Sequence, residues 1–213
     1  MTDVWSDRAQ AYRDSEAHRS GRDLDLIVEW SAGARTALDV ATGGGHVARR
    51  LREAGLQVVT TDAAPGMEPD VICRSEELPF ADGSFDVVAC RVAAHHFGDV
   101  ALAVREMARV SAKLVLVSDN LYGGEELEQA EKLRDPSHVR NYTEDEWRRF
   151  VEDAGAGVTV VEAIQHPIEL QGWLERAGCT GADAQRVRDL VADRTDGDRV
   201  VLDRIVIKAE KGG

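Results

Sequence analysis

Compact apolar runs alternate along the chain with segments in which apolar positions recur at helical spacing. Runs rich in Val, Ile and Leu predict buried strands, and a spacing of three or four residues predicts helices. The predicted strands are 36–41, 56–62, 70–74, 85–90, 113–119, 157–163 and 199–209. The predicted helices are two within 4–31 and those at 46–55, 99–110, 124–133, 143–155, 168–177 and 182–193. This alternation indicates a parallel sheet covered by helices on both faces.

Two segments stand outside the alternation. The first, 1–31, contains the two N-terminal helices, separated by a polar stretch that includes Tyr12, His18 and Gly21. The second, 120–142, is polar and only partly helical in character. We expect residues 1–213 to form one domain in which these two segments act as a lid.

Composition restricts the kinds of partner. With 43% hydrophobic residues the chain can bury a core, and its formal net charge of −13 disfavours phosphate backbones and anionic lipid surfaces. No run approaches the roughly 20 apolar residues of a membrane span. The N-terminus is charged from residue 3 and lacks the apolar stretch of a signal peptide. We expect a cytoplasmic protein that binds neither nucleic acid nor membrane; the sequence leaves its oligomeric state open.

Cysteine and histidine spacing gives little support to a metal site. Cys73, Cys90 and Cys179 lie far apart with no C-x-x-C pair, which is typical of reduced thiols. The neighbours His95 and His96, on an irregular segment, are poor co-ligands for one ion. We therefore expect no metal.

The segment LDVATGGGHVA, 38–48, is the most informative part of the chain. Its residues 41–45 are small, except Thr42, so a ligand can lie against the main chain between the first strand and the first helix. Asp62 ends the next strand, nineteen residues beyond Gly43. A carboxylate there can accept hydrogen bonds from both hydroxyls of a ribose. The pattern predicts a nucleotide-like ligand beyond the carboxyl ends of the strands.

The loop alone leaves the identity of the ligand open. Gly43-x-Gly45-x-x-Ala48 also fits the dinucleotide-binding pattern, which allows a nicotinamide-dependent oxidoreductase. A tight turn without any ligand is a further interpretation.

Other segments distinguish between these possibilities. ELPFADGSFDVV at 77–88, CRVAAHHF at 90–97 and REMARV at 105–110 together resemble class I S-adenosylmethionine-dependent methyltransferases, in the branch similar to ubiquinone/menaquinone-biosynthesis methyltransferases. The resemblance extends to RDPSHVRNYTEDEW at 134–147 and AYRDSEAHRSGRDLD at 11–25. It implies a doubly wound α/β fold whose mostly parallel, seven-stranded sheet has an antiparallel last strand. It also implies S-adenosylmethionine as cofactor and methyl transfer to a small-molecule acceptor.

The resemblance further implies which residues contact the cofactor. They are Asp39, Ala41, Gly43 and Gly45 along the methionine part, Asp62 at the ribose, Ala63, Ser75 and Glu76 around the adenine, and Arg91, through its main chain, near the methionine end. Tyr12 is a further candidate, because its ring could lie against the positive sulfur or the adenine; packing in the core is the alternative.

The chain departs from the family pattern in three places. Arg74 stands where many relatives have an acid that reads the adenine amino group. The second crossover, 63–69, is too short and too rich in Pro and Gly for a full helix. Residues 111–113, Ser-Ala-Lys, replace the usual Pro-Gly-Gly turn. The first two departures keep open a cofactor-binding protein without methyl-transfer activity.

Methyl transfer is an in-line displacement at an activated sulfonium, so a protein mainly has to align the nucleophile and exclude water. His96, with His95, is the candidate for general base or acceptor contact, since an unperturbed imidazole has a pKa near about 6.5. The alternative for this pair is hydrogen-bonded scaffolding. We expect His138, in the lid segment, to lie at the surface or to help dock the lid, with a catalytic role as the alternative. We expect His46 to be a helix cap or solvent-exposed residue and His166 to lie in a loop.

Overall fold

The computed structural model describes residues 4–212, apart from the side chains of Val4, Asp7, Glu16 and Ala17. Residues 1–3 of the predicted N-terminal segment and Gly213 lie outside the described residues. In chain order the strands are β1 (Thr36–Val40), β2 (Gln57–Asp62), β3 (Val71–Ile72), β4 (Phe85–Arg91), β5 (Ser111–Asn120), β6 (Ala156–Glu169), β7 (Thr195–Asp196) and β8 (Arg199–Lys211).

These strands form one sheet in the order β3-β2-β1-β4-β5-β8-β6, with the two-residue β7 paired to β8. The neighbours from β3 to β5 pair in parallel, and β8 pairs antiparallel with both β5 and β6. The predicted fold class is therefore confirmed, with β7 as an addition to the seven strands expected.

The helices are α1 (Val4–Asp14), α2 (Glu16–Arg19), α3 (Arg22–Trp30), α4 (His46–Glu53), α5 (Val100–Val110), α6 (Glu125–Arg134), α7 (Glu144–Asp153), α8 (Leu170–Arg176) and α9 (Gly181–Leu190). The N-terminal segment contains three helices, not the two predicted, because the short α2 forms in the polar stretch expected between them. Tyr12 consequently lies in α1. Thr143 and Glu146 form the predicted reciprocal cap of α7. None of the helices in the described range 4–212 is both long and apolar enough to span a bilayer.

The alternation of side chains in β4 places successive residues in the cores on opposite faces of the sheet. Val88 packs in the cluster that includes Val104 of α5 and Trp147 of α7. Val87 packs in the cluster that includes Leu24 of α3 and Leu51 of α4. Helices thus cover both faces, as the alternating pattern predicts.

The segment 120–142 contributes to a third apolar cluster. Leu127 and Ala130 of α6 are almost fully buried and pack with Trp173 of α8, Val187 of α9 and Leu202 of β8. The sequence pattern did not indicate this buried face of α6, because the segment contains few apolar residues among many polar ones.

Strand β6 is twice as long as predicted, because it pairs with β8 along its whole length from Ala156 to Glu169. His166, which we expected in a loop, lies opposite Leu202 in this ladder. Local β-branched content indicated only the first half of the strand.

The short second crossover contains a single 3-10 turn, Pro65–Met67, as its composition predicts. Helix α1 packs on this turn. The hydroxyl of Ser6 accepts a hydrogen bond from the Gly66 amide at 2.7 Å, and Arg13 donates to the Gly66 carbonyl at 2.7 Å. A Cβ on Gly66 would lie 2.5 Å from the Cβ of Ser6. Helix α1 therefore supplies the wall that a crossover helix normally provides.

Candidate active site

The loop between β1 and α4 has a backbone that few residues adopt. Ala41, Gly43 and Gly45 have φ values of 54°, 50° and 75°. Glycine adopts positive φ without strain, whereas an alanine there is uncommon. The Thr42 amide donates to the Thr61 carbonyl at 2.9 Å, which fixes the loop against the end of β2.

Two carboxylates at the ends of β1 and β2 hold this loop. The Oδ2 of Asp39 accepts hydrogen bonds from the Thr42 hydroxyl at 2.6 Å and the Ala48 amide at 3.1 Å. Burial raises the pKa of Asp39 to about 6. Asp62 accepts from the Gly43 amide at 3.0 Å and the Ala64 amide at 2.9 Å.

A cavity of about 250 Å³ lies over this loop and the carboxyl ends of β1, β2 and β4. All of the predicted cofactor-binding residues except Gly45 line it, and so does His96. Gly45 instead precedes α4 as its N-cap. The lining residues that the sequence analysis did not assign to the cofactor include Trp5, His18, Met67, Val92 and Phe97.

One end of this cavity is formed by the segment after β3. Ser75 and Glu76 both line it, and Glu76 Oε1 accepts from the amides of Gly98 at 3.1 Å and Asp99 at 3.3 Å. Arg74 donates to the same carboxylate oxygen at 3.2 Å. Arg74, which replaces the acid that many relatives have at this position, thus forms an ion pair with Glu76.

The guanidinium of Arg91 binds a buried acid of α3. Its Nε donates to Asp23 Oδ2 at 2.6 Å and its Nη2 to Asp23 Oδ1 at 3.1 Å, while Arg204 donates to Oδ2 at 3.0 Å. Burial by itself raises the pKa of Asp23, but the two arginines outweigh it and hold the pKa at about 2. The Arg91 side chain therefore anchors α3 to the sheet.

His95 and His96 follow β4 in a 3-10 turn and have different surroundings. His95 Nδ1 lies 2.5 Å from Asp119 Oδ1, and its amide donates to Asp119 Oδ2. Burial lowers the pKa of His95, but Asp119 outweighs burial and leaves it raised. Burial and the charge of His95 lower the pKa of His96 to about 3. The expectation of an unperturbed imidazole at His96 was therefore wrong.

The ring of His96 is oriented by the segment after α6. Its Nδ1 lies 3.1 Å from the Ser137 carbonyl oxygen, so Nδ1 carries the proton and Nε2 the lone pair. His95 does not line the main cavity, whereas His96 does. Of the two histidines, only His96 can present a hydrogen-bond acceptor to a ligand there.

Helix α1 and the following turn cover the cavity. The indole of Trp5 lies edge-on to His96, with ring centroids 4.6 Å apart, and Tyr12 lies beside Trp5. His46 Nε2 donates to the Tyr12 carbonyl at 2.9 Å. His46 is thus buried, not a cap or solvent-exposed residue as predicted. Trp5 was not among the predicted site residues, although its i, i+7 spacing from Tyr12 places both rings on one face of α1.

Gly44 allows this cover to approach the loop. A Cβ on Gly44 would lie 2.7 Å from the Tyr12 carbonyl oxygen and 2.8 Å from His46 Nε2. The Tyr12 carbonyl is a backbone group, so a rotamer change cannot relieve its contact with a Cβ at position 44. Glycine is required here by the close approach of α1, beyond any requirement of a ligand.

His138 is buried, which excludes the surface position but not the lid-docking role that we also expected. It lies 3.2 Å from Glu128 Oε1 and 3.6 Å from Glu131 Oε2, forming a cluster of potential metal ligands. The two carboxylates also accept hydrogen bonds from Asn141, through its amide and its side chain. These bonds join α6 to the segment before α7, which accounts for the cluster without an ion.

Comparison with known proteins defines the family. Residues 38–114 match the model of a methyltransferase domain. The chain is 31% identical over 208 residues to the uncharacterized methyltransferase YcgJ of Bacillus subtilis, covering 85% of this chain and 81% of YcgJ. The YcgJ crystal structure superposes with a TM-score of 0.80 at 25% identity, over 90% of this chain and 98% of YcgJ.

Two further matches agree. A solved structure from Bacillus halodurans C-125 gives a TM-score of 0.78 at 28% identity, over 91% of this chain and 100% of that one. A demethylmenaquinone methyltransferase of Corynebacterium urealyticum is 35% identical over 101 residues, 44% of this chain and 42% of the relative. The chain belongs to the class I S-adenosylmethionine-dependent methyltransferases, and S-adenosylmethionine is its cofactor.

Proposed function

We propose that this protein transfers the methyl group of S-adenosylmethionine to a small-molecule acceptor. The observation that carries this proposal is the cavity itself, which brings Asp39, Asp62 and the glycine loop together with His96. In the proposed arrangement the methionine part lies along residues 39–45, the ribose hydroxyls contact Asp62, and the adenine lies by Ala63 and Ser75. We also propose that the chain lies in the branch of the family that resembles the ubiquinone/menaquinone-biosynthesis methyltransferases.

The chemistry asks little of the protein besides alignment and exclusion of water, because the sulfonium is already activated. We assign to His96 the role of hydrogen-bond acceptor for the nucleophile, since its pKa of about 3 keeps Nε2 unprotonated at neutral pH. His95, buried against Asp119, has a supporting role. The positive charge that the Asp119 carboxylate stabilises on His95 also keeps His96 neutral.

Cofactor binding provides the first test. S-adenosylhomocysteine should raise the melting temperature, because a ligand that binds only the folded state stabilises it. Asp62→Ala should weaken that binding by about 1.5–3 kcal/mol, the range for a hydrogen bond to a charged group. Isothermal titration of both proteins with S-adenosylhomocysteine and with NAD measures the difference. A response to NAD alone would support an oxidoreductase instead.

Turnover separates an enzyme from a binding protein. Formation of S-adenosylhomocysteine with an acceptor, measured by mass spectrometry, is expected. In His96→Gln turnover should fall by about 100-fold with little change in cofactor affinity. The wild-type rate should show no step from His96 between about pH 5 and 8. Cofactor binding without turnover on any acceptor would favour the non-catalytic alternative.

We further propose that the N-terminal helices act as a movable cover. Trp5, Tyr12 and His18 lie over the cavity, and lids come from the less stable parts of a structure. The segment 120–142 contributes Leu127 and Ala130 to an apolar cluster, so we expect any movement there to be smaller.

Gly44→Ala tests the cover. The new methyl group should push α1 away from the loop, at a cost of about 1–3 kcal/mol typical of overpacking. Hydrogen exchange over residues 5–19 should become faster, whereas the sheet should keep its protection. Gly157→Ala is the control, since its nearest new neighbour lies 3.8 Å away. Unchanged exchange over residues 5–19 in Gly44→Ala would contradict the close docking of α1.

A further inference from the structure

A second and smaller cavity adjoins the cofactor cavity. The two share Tyr12, His18, Val92 and His96 in their linings, so they meet beside the ring proposed to contact the nucleophile. The second cavity has a volume of about 40 Å³. We call it the cationic chamber, because its lining includes Arg134, Arg176 and Arg204.

The charged side chains that line the chamber are cationic. Among the described residues that line it there is no carboxylate. Arg204 donates to Asp23 at 3.0 Å. The same carboxylate also accepts two hydrogen bonds from Arg91, at 2.6 and 3.1 Å. Asp23 is thus shared by two guanidinium groups, and Asp119, the other buried carboxylate that acts on Arg204, is bound by His95. Arg134 and Arg176 add further positive charge to the lining.

Two buried nitrogen atoms of the chamber lack a hydrogen-bond partner. Arg134 is held by a hydrogen bond from Nη1 to the Trp173 carbonyl at 3.1 Å and by its position 4.6 Å from the Trp173 ring centroid. Its Nε is nevertheless buried without a partner, and so is His166 Nε2. Among the described residues no direct hydrogen bond or ion pair engages the guanidinium of Arg176, although the charge of Glu169 acts on it from a distance.

Buried polar atoms without partners cost free energy, and several positive groups around one space favour a negative ligand. The volume corresponds to a few water molecules, which suits a planar carboxylate of three heavy atoms. Arginine is the side chain whose geometry matches a carboxylate. We propose that the cationic chamber binds a carboxylate of the methyl acceptor and so holds the nucleophilic atom at His96. This inference rests on the proposed methyltransferase function.

A wider surface groove offers the route by which such an acceptor arrives. The groove has a volume of about 770 Å³ and shares His166, Ile168 and Arg176 with the chamber. The chamber therefore lies between the groove and the cofactor cavity, and Arg176 borders both the groove and the chamber. A bulky acceptor can place its anionic group in the chamber while its body occupies the groove.

The test uses benzoate and its neutral isostere benzamide as probes. The protein, with and without saturating S-adenosylhomocysteine, is titrated with each probe in a calorimeter. Benzoate should bind saturably and at least about 10-fold more tightly than benzamide, as expected for hydrogen bonds to a charged group. Arg176→Gln should weaken benzoate by at least about 10-fold, and Arg176→Lys should lose less.

Arg186→Gln is the matched control, because it removes the same charge from an exposed position on α9. Its affinity for benzoate should equal that of the wild type. Equal binding of benzoate and benzamide, or full benzoate affinity in Arg176→Gln, would overturn the proposal. Inorganic phosphate binding more tightly than benzoate would overturn the assignment to a carboxylate. If the wild-type protein does not bind S-adenosylhomocysteine, the proposed function is refuted. The benzoate titration without cofactor still tests the chamber in that case.

Discussion

Replacement of Asp23 by Asn is expected to lower the free energy of unfolding by about 3–5 kcal/mol, the range for removing one partner of a buried ion pair. Asp23 is fully buried, and Arg91 and Arg204 both donate to it. Asn keeps the shape but leaves two guanidinium groups without a counter-charge. Urea denaturation of both proteins at neutral pH measures the loss.

The pH dependence has a definite sign. The pKa of Asp23 is about 2 in the folded protein, below its ordinary value of 3.8. Its contribution is therefore complete above about pH 4 and is lost as the pH falls through about 2. The difference in stability between the wild type and Asp23→Asn should be constant above about pH 4 and should shrink below it.

Asp25 on the same helix provides the control. It pairs with Arg50 at 2.9 Å, but the two side chains are 47% and 30% exposed. Exposed pairs contribute about 0–1 kcal/mol, so Asp25→Asn should change little. Equal effects of the two substitutions would show that burial does not set the strength of the Asp23 pairs.

Replacement of Asp39 by Asn is expected to stabilise the ligand-free protein while weakening cofactor binding. Both hydrogen bonds to Asp39 end on Oδ2, so an Asn oxygen can accept both of them. The buried carboxylate has its pKa raised to about 6 from 3.8. Wild-type stability therefore falls as the pH rises from about 4 to 6 and then levels. At pH 8 the variant should be more stable by up to about 3 kcal/mol.

Affinity should change in the opposite direction. We propose that Asp39 lies by the methionine part, whose ammonium group favours the ionised carboxylate, so Asp39→Asn should weaken S-adenosylmethionine by about 10-fold or more. Denaturation at pH 5 and pH 8, with calorimetric titration of the cofactor, measures both effects. A variant that is less stable than the wild type at pH 8 would contradict the burial argument.

Asp86 offers a control of opposite sign. Hydrogen bonding to Lys113 and to the Arg35 amide lowers its pKa to about 2, so its ionised form stabilises the fold. Asp86→Asn should destabilise the protein at pH 8 and leave cofactor affinity unchanged, since Asp86 lies outside the cavity lining.

Local pattern predicted most of the fold because β1, β4 and β5 are rich in apolar residues and α5 and α7 have helical periodicity. The capping box at Thr143 could be predicted because it depends only on two residues three positions apart. The misassigned parts depend on distant partners. The second half of β6 is ordered by pairing with β8, and α2 lies in a polar stretch whose spacing gave no helical signal.

The predicted cofactor residues were found together because the loop and its two acids are encoded at fixed offsets within one βαβ unit. Asp39, Gly43 and Asp62 needed no knowledge of distant contacts. Trp5, His18 and Arg176 did, since they reach the site from α1, α2 and α8. Nothing in the local sequence around these three residues indicates that they meet at one site, because the meeting depends on how the helices pack.

The sequence by itself determined the class of fold, the glycine loop and the acid that follows it, because each follows from periodicity or from spacing along one segment. Only the tertiary structure decided the charge states and the shape of the acceptor side. His96 loses its ordinary pKa through burial and the neighbouring His95, and Arg134, Arg176 and Arg204 converge from α6, α8 and β8. Electrostatic environment depends on burial and on distances between remote segments, which no local pattern contains.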